Sequence, residues 1–373
     1  MISRQLIDIL QARLFSGKAI LLLGARQTGK TTLVKQLVTL SKAKTVFLNG
    51  DEPGTLSLFE NMTTEKWKQI IGENKIVVVD EAQRIRDIGL KLKLCIDNFQ
   101  DTQLIVTGSS ALELANTINE PLTGRKWEYN LFPLSWAELK SSYQYNELLK
   151  QLESRLIFGM YPEVVTNPGN EMEVLNNLAG SYLYKDLLSF GNIRKPEILQ
   201  SLLRALAWQI GSEVSYNELS RLVNVDKNTV INYISLLEKA FVIFRLDPLS
   251  RNLRKEISTS RKIYFWDNGI RNALVSNYNT LEMRNDIGAL WENFMISERL
   301  KYNHYNRRYV NSYFWRTNDG KEIDLIEESG GKFDVFEFKW SAKKKVKIPN
   351  IFTKTYPSEN FYLINNENFM DFL

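Results

Sequence analysis

The sequence predicts an α/β fold that is divided into several domains. Its 373 residues exceed what one compact hydrophobic core usually organises. Apolar residues make up 44% and charged residues 24% of the chain, and these values are globular averages that exclude a disordered protein and a coiled-coil rod. In the first third of the chain, short apolar runs alternate with helical segments, which is typical of a parallel sheet covered by helices.

The first domain is predicted over residues 1–135. A helix is expected within residues 3–15, where leucine and isoleucine recur at helical spacing, and Gly17 ends it. The apolar run Ala19–Leu23 predicts a buried strand. Further strands of the same sheet are predicted at 45–48, 76–79 and 104–106.

Charge and rare residues restrict the classes of function. The formal net charge is +5, which permits polyanion partners without requiring them. Cys95 is the single cysteine and His304 the single histidine, so the sequence excludes a disulfide framework and a metal site rich in cysteine or histidine. The apolar runs are far shorter than the roughly 18 residues that a membrane helix needs. We expect a soluble, cytoplasmic protein without a membrane partner.

A glycine-rich segment directly follows the first predicted strand. Its sequence, Gly24-Ala-Arg-Gln-Thr-Gly-Lys-Thr, fits the P-loop pattern and opens a predicted helix. Glycines let several backbone N–H groups converge on one phosphate, and the helix N-terminus adds the positive end of its dipole. Lys30 is expected to neutralise the β and γ phosphates of ATP, and Thr31 to ligate Mg²⁺. The predicted nucleotide-binding residues are Gly24, Ala25, Arg26, Gln27, Thr28, Gly29, Lys30, Thr31 and Thr32.

Two adjacent carboxylates follow the strand at 76–79. This strand delivers Asp80 to the carboxyl edge of the sheet, where it can hold Mg²⁺, and Glu81 can then polarise the attacking water. The next strand ends in hydroxyl residues, and either Thr107 or Ser109 is a candidate for sensing the γ phosphate; the alternative is a plain turn at the strand end. Together these residues predict ATP hydrolysis.

The rest of the chain is predicted to form a helical lid or linker over residues 136–195 and two further domains. Within 196–280, two helices separated by a turn precede strand-like runs at 241–246 and 262–266, which is the pattern of a winged helix. Within 281–373, a helix precedes three strand-like runs that are separated by turns.

Carboxylates and a lysine recur in the last domain. Asp324 lies in one strand-like run, and Glu337 and Lys339 share a face of the next because strand side chains alternate. With Glu292 on the preceding helix, this order resembles the core of the PD-(D/E)XK nucleases, a restriction-endonuclease-like α/β fold. The resemblance implies carboxylates that bind Mg²⁺ or Mn²⁺ and a lysine that orients the attacking water. The alternatives are a fold retained for binding and ordinary charge alternation on a half-exposed strand.

Nearly the whole chain resembles the AAA-type P-loop ATPases of bacteria and archaea that carry a C-terminal domain of undefined function. The resemblance implies ATP and Mg²⁺. It also suggests Arg125 as an arginine finger or second sensor, acting in the same chain or a neighbouring one, and the alternative is a basic residue on a solvated loop. The motifs that carry the resemblance are 24–31, 76–81 with the continuation Ala-Gln-Arg, 107–111, 122–125, 131–135, 159–162 and 182–187.

Basic residues mark two candidate contacts with DNA. Lys227, Asn228 and Thr229 begin the second helix of the predicted winged helix. Lys343 to Lys345 with Lys347 follow the nuclease-like site and could track a phosphate backbone. The alternatives are a surface that docks a protein partner and a solvated face. A further basic cluster around the wing comprises Arg245, Arg251, Arg254, Lys255, Arg261 and Lys262.

These patterns predict a Mg²⁺-dependent ATPase that couples its nucleotide state to a C-terminal nucleic-acid-binding or nuclease-like module. The alternative is a nucleotide-gated switch that binds DNA or a protein partner and whose nuclease-like fold is inert. A third hypothesis is metal-dependent DNA cleavage.

Overall fold

The computed structural model divides into two compact units. Unit 1 comprises residues 1–134 with 239–241, and unit 2 comprises residues 135–238 with 242–373. Apart from residues 239–241, the lid or linker and the two domains predicted after residue 135 fall within unit 2, and their separate boundaries stay predictions. The described residues are 2–109, 121–182, 196–249, 261–317, 319–344, 346–356 and 358–373, apart from the side chains of 181 and 182.

Unit 1 contains a parallel sheet. Its strands are β1 (Ala19–Leu23), β2 (Thr45–Asn49), β3 (Ile76–Asp80), β4 (Gln103–Gly108) and β5 (Lys126–Asn130). They lie in the order β2-β3-β4-β1-β5. The four strands predicted from apolar runs are confirmed, and β5 is an addition. All positions of β1 are buried, as expected for an interior parallel strand.

Helices of unit 1 connect these strands. They are α1 (Leu6–Gln11), α2 (Lys30–Ser41), α3 (Pro53–Phe59), α4 (Thr64–Ile71) and α5 (Ile88–Asn98), with a 3₁₀ turn at Ala82–Arg84. The helix predicted within residues 3–15 is confirmed by α1. Helix α2 buries Leu33, Val34 and Leu37, and this apolar stripe anchors the helix that begins directly after the glycine-rich loop.

Unit 2 begins with the helices that the sequence predicts there. These are α6 (Trp136–Lys140), α7 (Tyr145–Phe158), α8 (Pro162–Thr166) and α9 (Glu171–Asn177), followed by a π-helical turn at Leu178–Tyr182. The last part of the predicted lid or linker lies outside the described residues. Across the described part of the chain, no helix has both the length and the apolar composition that crossing a bilayer requires.

The next segment alternates helices and short strands. It contains α10 (Pro196–Trp208), β6 (Glu213–Val214), α11 (Tyr216–Leu222), α12 (Lys227–Lys239), β7 (Ile243–Pro248) and β8 (Arg261–Phe265). Asp226 caps α12, because its Oδ1 accepts the Thr229 N–H at 2.9 Å. The strand predicted from Phe241 instead begins at Ile243, since Phe241 has a φ of 58° and strand residues have negative φ.

The remaining elements complete one large sheet. They are α13 (Asn268–Leu274), a 3₁₀ turn at Leu281–Met283, α14 (Ile287–Tyr305), β9 (Asn311–Arg316), β10 (Glu322–Ser329), β11 (Lys332–Phe338), α15 (Asn350–Thr355), β12 (Ser358–Ile364) and a 3₁₀ turn at Phe369–Asp371. The sheet has the order β12-β11-β10-β9-β7-β8-β6. Because β7 pairs in parallel with β9, the strands of the predicted winged helix and those of the predicted last domain share this sheet.

Candidate functional site

The glycine-rich loop of unit 1 joins the carboxyl end of β1 to the first turn of α2. Gly29 precedes α2 with a φ of 93°, a left-handed conformation that glycine adopts without steric cost. Gly24 passes so close to the next loop that a Cβ atom would lie 2.1 Å from the carbonyl oxygen of Leu131. The two glycines therefore meet geometric requirements that a larger side chain would violate.

Lys30 lies inside this loop. Its Nζ donates to the carbonyl oxygen of Gly24 at 2.9 Å and to that of Ala25 at 3.0 Å, and the residue is 4% exposed. Thr28 is also buried, and its hydroxyl donates to the carbonyl oxygen of Ala25 at 2.8 Å. The ammonium group is thus held at the N-terminus of α2, where helix-terminal N–H groups favour an anion.

Asp80, the last residue of β3, links α2 and β4 at the carboxyl edge of the sheet. Its Oδ2 accepts the Thr31 hydroxyl at 2.8 Å, and its Oδ1 accepts the Thr107 hydroxyl. This proximity follows from topology, because β4 lies between β1 and β3 and the three strands run parallel; the predicted roles stay predictions. Hydroxyl and carboxylate oxygens are hard ligands, so the donor set of Thr31 and Asp80 fits Mg²⁺.

Glu81 lies beside this group in a left-handed conformation, with a φ of 49°. Its backbone N–H donates to the Thr107 hydroxyl oxygen at 3.2 Å. Its carboxylate Oε2 accepts Gln83 Nε2 at 2.5 Å, and the same amide donates to Ser109 Oγ at 3.0 Å. Gln83 thus connects Glu81 to Ser109, one of the two sensor candidates, a role that the sequence reasoning missed.

The remaining predicted loop residues differ in exposure. Arg26 and Gln27 are half-buried, whereas Thr32 is exposed on α2. Gln27 has a φ of 61°, so the loop needs a left-handed residue at this position as well as at its glycines. Their predicted contact with nucleotide stays a prediction.

Arg4 is a second residue that sequence reasoning missed. Its guanidinium donates to the carbonyl oxygens of Thr28 and Phe132, each at 2.6 Å, and the residue is 6% exposed. It therefore ties the glycine-rich loop to the segment after β5. In the sequence, Arg4 is a basic residue just before α1, and such residues also occur at solvated helix starts, so nothing there signals its contacts.

We expect Arg4→Ala to weaken ATP binding about tenfold. The change removes two hydrogen bonds from a charged donor, each worth about 1.5–3 kcal/mol, and leaves two carbonyls to find new partners. Titration with a fluorescent ATP analogue measures the loss of affinity, and thermal unfolding measures the loss of stability. Arg13→Ala is the matched control, because Arg13 lies over the Trp127 ring away from the loop. Unchanged affinity and melting temperature in Arg4→Ala would contradict this role.

Arg125 does not join the site within one chain. It immediately precedes β5, and its carbonyl oxygen accepts the N–H of Ala19, the first residue of β1. The loop follows the last residue of β1, so Arg125 lies at the opposite edge of the sheet, where its Nε donates to Asp97 Oδ1 at 2.6 Å. A finger or sensor role in the same chain is therefore wrong, and action on a neighbouring chain stays a prediction.

The carboxylates predicted in unit 2 converge. Lys339 Nζ lies 3.1 Å from Asp324 Oδ2 and 2.9 Å from Glu337 Oε2. Burial and the charge of Asp324 raise the pKa of Glu337 to about 8, although Lys339 opposes this shift. Glu292 offers an oxygen within 4.8 Å of oxygens from Asp324 and from Glu322, a residue the sequence reasoning did not single out.

Lys262 also belongs to this cluster, which corrects the prediction that it faces DNA. The side chain is 1% exposed and its Nζ lies 2.9 Å from Glu292 Oε1. Burial raises the pKa of Glu292 to about 7 in spite of the charge of Lys262. Strand side chains alternate between faces, and Lys262 lies on the face of β8 that is directed to Glu292.

The other predicted DNA contacts are ion-paired, exposed or outside the described residues. Arg245 and Arg261 form ion pairs, with Glu238 at 2.5 Å and Asp247 at 2.7 Å, so carboxylates already offset their charges. Lys227 and Asn228 are exposed at the start of α12. Residues 251, 254, 255 and 345 lie outside the described residues, and Lys343, Lys344 and Lys347 are exposed.

Family models match three segments of the chain. Residues 16–140 match the AAA domain, residues 149–281 match a domain of unknown function (DUF8612), and residues 287–371 match a domain of unknown function (DUF4143).

Relatives come from bacteria and archaea. An uncharacterized protein of Mycobacterium tuberculosis is 28% identical over 342 residues, which cover 90% of this chain and 74% of that protein. An uncharacterized protein of Methanocaldococcus jannaschii is 26% identical over 301 residues, which cover 68% of this chain and 62% of that protein.

Among solved structures, the chain is similar to the Thermotoga maritima RuvB Holliday junction branch migration motor. The identity is 16%, the match covers 69% of this chain and 95% of that one, and the TM-score is 0.30. By the family matches, residues 16–140 are similar to AAA-type P-loop NTPase domains, and residues 287–371 are similar to DUF4143 domains.

Proposed function

We propose that this protein binds and hydrolyses ATP in unit 1 and that its nucleotide state controls binding of DNA by unit 2. One observation carries the first part of the proposal: Lys30, Thr31, Asp80, Glu81 and Thr107 converge at the carboxyl edge of one parallel sheet. Ligands of open parallel sheets bind at this edge.

Each residue has a distinct task in the proposed reaction. Lys30 exchanges its carbonyl partners for phosphate oxygens, and the N–H groups at the start of α2 bind the same anion. Thr31 and Asp80 would hold Mg²⁺, which when bound offsets the charge of the phosphate oxygens. Thr107 fixes the orientation of Asp80 through its hydroxyl. Glu81 accepts a proton from the attacking water at its carboxylate.

The proposed DNA-binding element of unit 2 is a winged helix. Its support is the order of α10, β6, α11, α12, β7 and β8, in which β8 pairs antiparallel with both β6 and β7. Helix α12 buries Val230, Ile234 and Leu237 and exposes Lys227 and Asn228. This division leaves the polar side of α12 available for a groove of DNA.

The second candidate is a nucleotide-gated switch with an inert nuclease-like fold. The observation in its favour is that lysines neutralise the carboxylates of unit 2, with Lys262 on Glu292 and Lys339 on Asp324 and Glu337. Metal-dependent cleavage of DNA requires that these carboxylates bind a divalent cation instead.

Phosphate release from Mg²⁺-ATP by the purified protein tests the main proposal. Turnover that is saturable in ATP supports hydrolysis, whereas ATP-dependent DNA affinity with background phosphate release favours the switch. Nicking of plasmid DNA in Mn²⁺ that disappears in Asp324→Asn would favour the nuclease.

We expect Lys227→Ala to weaken DNA binding and to lower the slope of log affinity against log salt by about 1, since each neutralised phosphate releases about one counterion. Fluorescence anisotropy at several salt concentrations measures this slope. Lys239→Ala is the matched control, because Lys239 is an exposed lysine at the other end of the same helix. Equal slopes for the two variants would argue against contact between the start of α12 and DNA.

A further inference from the structure

Three carboxylates of unit 2 meet at one point, and we call Glu292, Glu322 and Asp324 the acidic triad. Glu292 comes from α14, and Glu322 and Asp324 come from one face of β10. One oxygen from each lies within 4.8 Å of the others. Oxygens at this spacing would suit a single hard cation.

An internal cation already lies against this triad. Lys262 Nζ is 2.9 Å from Glu292 Oε1 and also pairs with Glu322 Oε1. Tyr264 adds a second donor to Glu292 Oε1, at 2.6 Å. Lys262 and Tyr264 both belong to β8, two residues apart, so one face of this strand supplies both donors.

Charge explains why the ammonium group persists at a buried position. Burial opposes the charged form of Lys262, but the charges of Glu292, Asp324 and Glu322 outweigh this effect and raise its pKa above the ordinary value. A buried ammonium group without such partners would lose its proton. The triad and Lys262 therefore stabilise each other's charges.

We infer that the ammonium group of Lys262 takes the place of a metal cation at the acidic triad and prevents divalent metal ions from binding there. A divalent ion bound by the triad would have to approach Glu292 and Glu322, which Lys262 already contacts, and the two cations would repel each other at short range. The pairing also ties β8 to α14 and β10. Metal uptake at the triad then requires displacement of Lys262. This inference does not depend on ATP hydrolysis, because all of its residues belong to unit 2.

Removal of the ammonium group should convert the triad into a cation site. We expect Lys262→Met to bind one Mn²⁺ per chain at least tenfold more tightly than the wild type. Electron paramagnetic resonance of free Mn²⁺ measures this, using nucleotide-free protein stripped with EDTA. Asp80→Asn is introduced in every protein, and in this experiment the wild type is the chain with that change alone, so that the proposed Mg²⁺ ligand of unit 1 does not contribute. The added change Glu322→Gln should abolish the gain, since it removes one carboxylate of the triad.

A matched control is Lys332→Met. Lys332 also pairs with a carboxylate of the same sheet, Glu359 at 2.7 Å, but its side chain is 68% exposed. This variant should bind no more Mn²⁺ than the wild type. Thermal unfolding gives a second measurement: Mn²⁺ should raise the melting temperature of Lys262→Met and leave that of the wild type unchanged.

Three results would overturn the inference. The first is a wild-type protein that binds one Mn²⁺ and loses it in Asp324→Asn. The second is a folded Lys262→Met protein that takes up no Mn²⁺. The third is a Lys262→Met protein that stays insoluble with and without Mn²⁺, because an emptied cation site should be stabilised by a cation.

Discussion

Lys30→Ala is expected to lower ATP affinity by roughly 10² to 10⁴-fold and to reduce phosphate release to background. The ammonium group makes two charge-assisted contacts within the loop, with Gly24 and Ala25, and we propose that phosphate oxygens replace them. Such contacts are worth about 1.5–3 kcal/mol each, and tenfold in affinity corresponds to about 1.4 kcal/mol. Isothermal titration with Mg²⁺-ATP and a phosphate-release assay measure the two losses.

The matched control for this variant is Lys35→Ala. Lys35 lies on the same helix but is exposed, so its loss tests whether any lysine of α2 contributes through net charge alone. The expected result is near-native affinity. A Lys30→Ala protein that hydrolyses ATP at the native rate would show that the phosphates bind elsewhere.

Glu81→Gln is expected to keep ATP binding and to slow hydrolysis by about 10² to 10⁴-fold, the usual contribution of a general base. Glutamine has nearly the same shape, and its carbonyl oxygen can still accept the Gln83 amide that now donates to Glu81 at 2.5 Å. It cannot take a proton from water. Single-turnover phosphate release, compared with equilibrium binding of ATP, separates the two effects.

The control for Glu81→Gln is Glu73→Gln. Glu73 is an exposed residue of the same unit, with its carboxylate paired to Lys44, so the same chemical change there should leave turnover unaltered. Native turnover in Glu81→Gln would mean that another group accepts the proton. Background turnover in both the wild type and this variant, with ATP still bound, would favour the nucleotide-gated switch.

Much of unit 1 could be predicted because its signals are local. Each interior strand is a continuous apolar run, and the glycine-rich loop, Asp80 and Thr107 directly follow such runs. The strand β5 was missed because its sequence, Lys-Trp-Glu-Tyr-Asn, mixes charged and aromatic residues. Only one of its positions is buried, as expected for a strand at the edge of a sheet.

Residues that act over long sequence separations could not be predicted in the same way. Arg4 bonds to Phe132, 128 positions away, and nothing near Arg4 in sequence signals that contact. The family resemblance suggested Arg125 as a finger or second sensor, but the direction of β5 places it at the far edge of the sheet. Sequence order does not specify which edge of a sheet a connecting residue reaches.

The amino-acid order alone determined the glycine-rich loop, the acidic pair at the end of β3 and the shared strand face of Glu337 and Lys339, because local periodicity and adjacent residues produce these features. Only the folded chain decided that Lys262 points inward toward Glu292. The pairing of β7 with β9 joins β7 and its neighbour β8, the strand of Lys262, to the last strands of the sheet. The free energy of a buried charge depends on the neighbours that such long-range pairing brings to it.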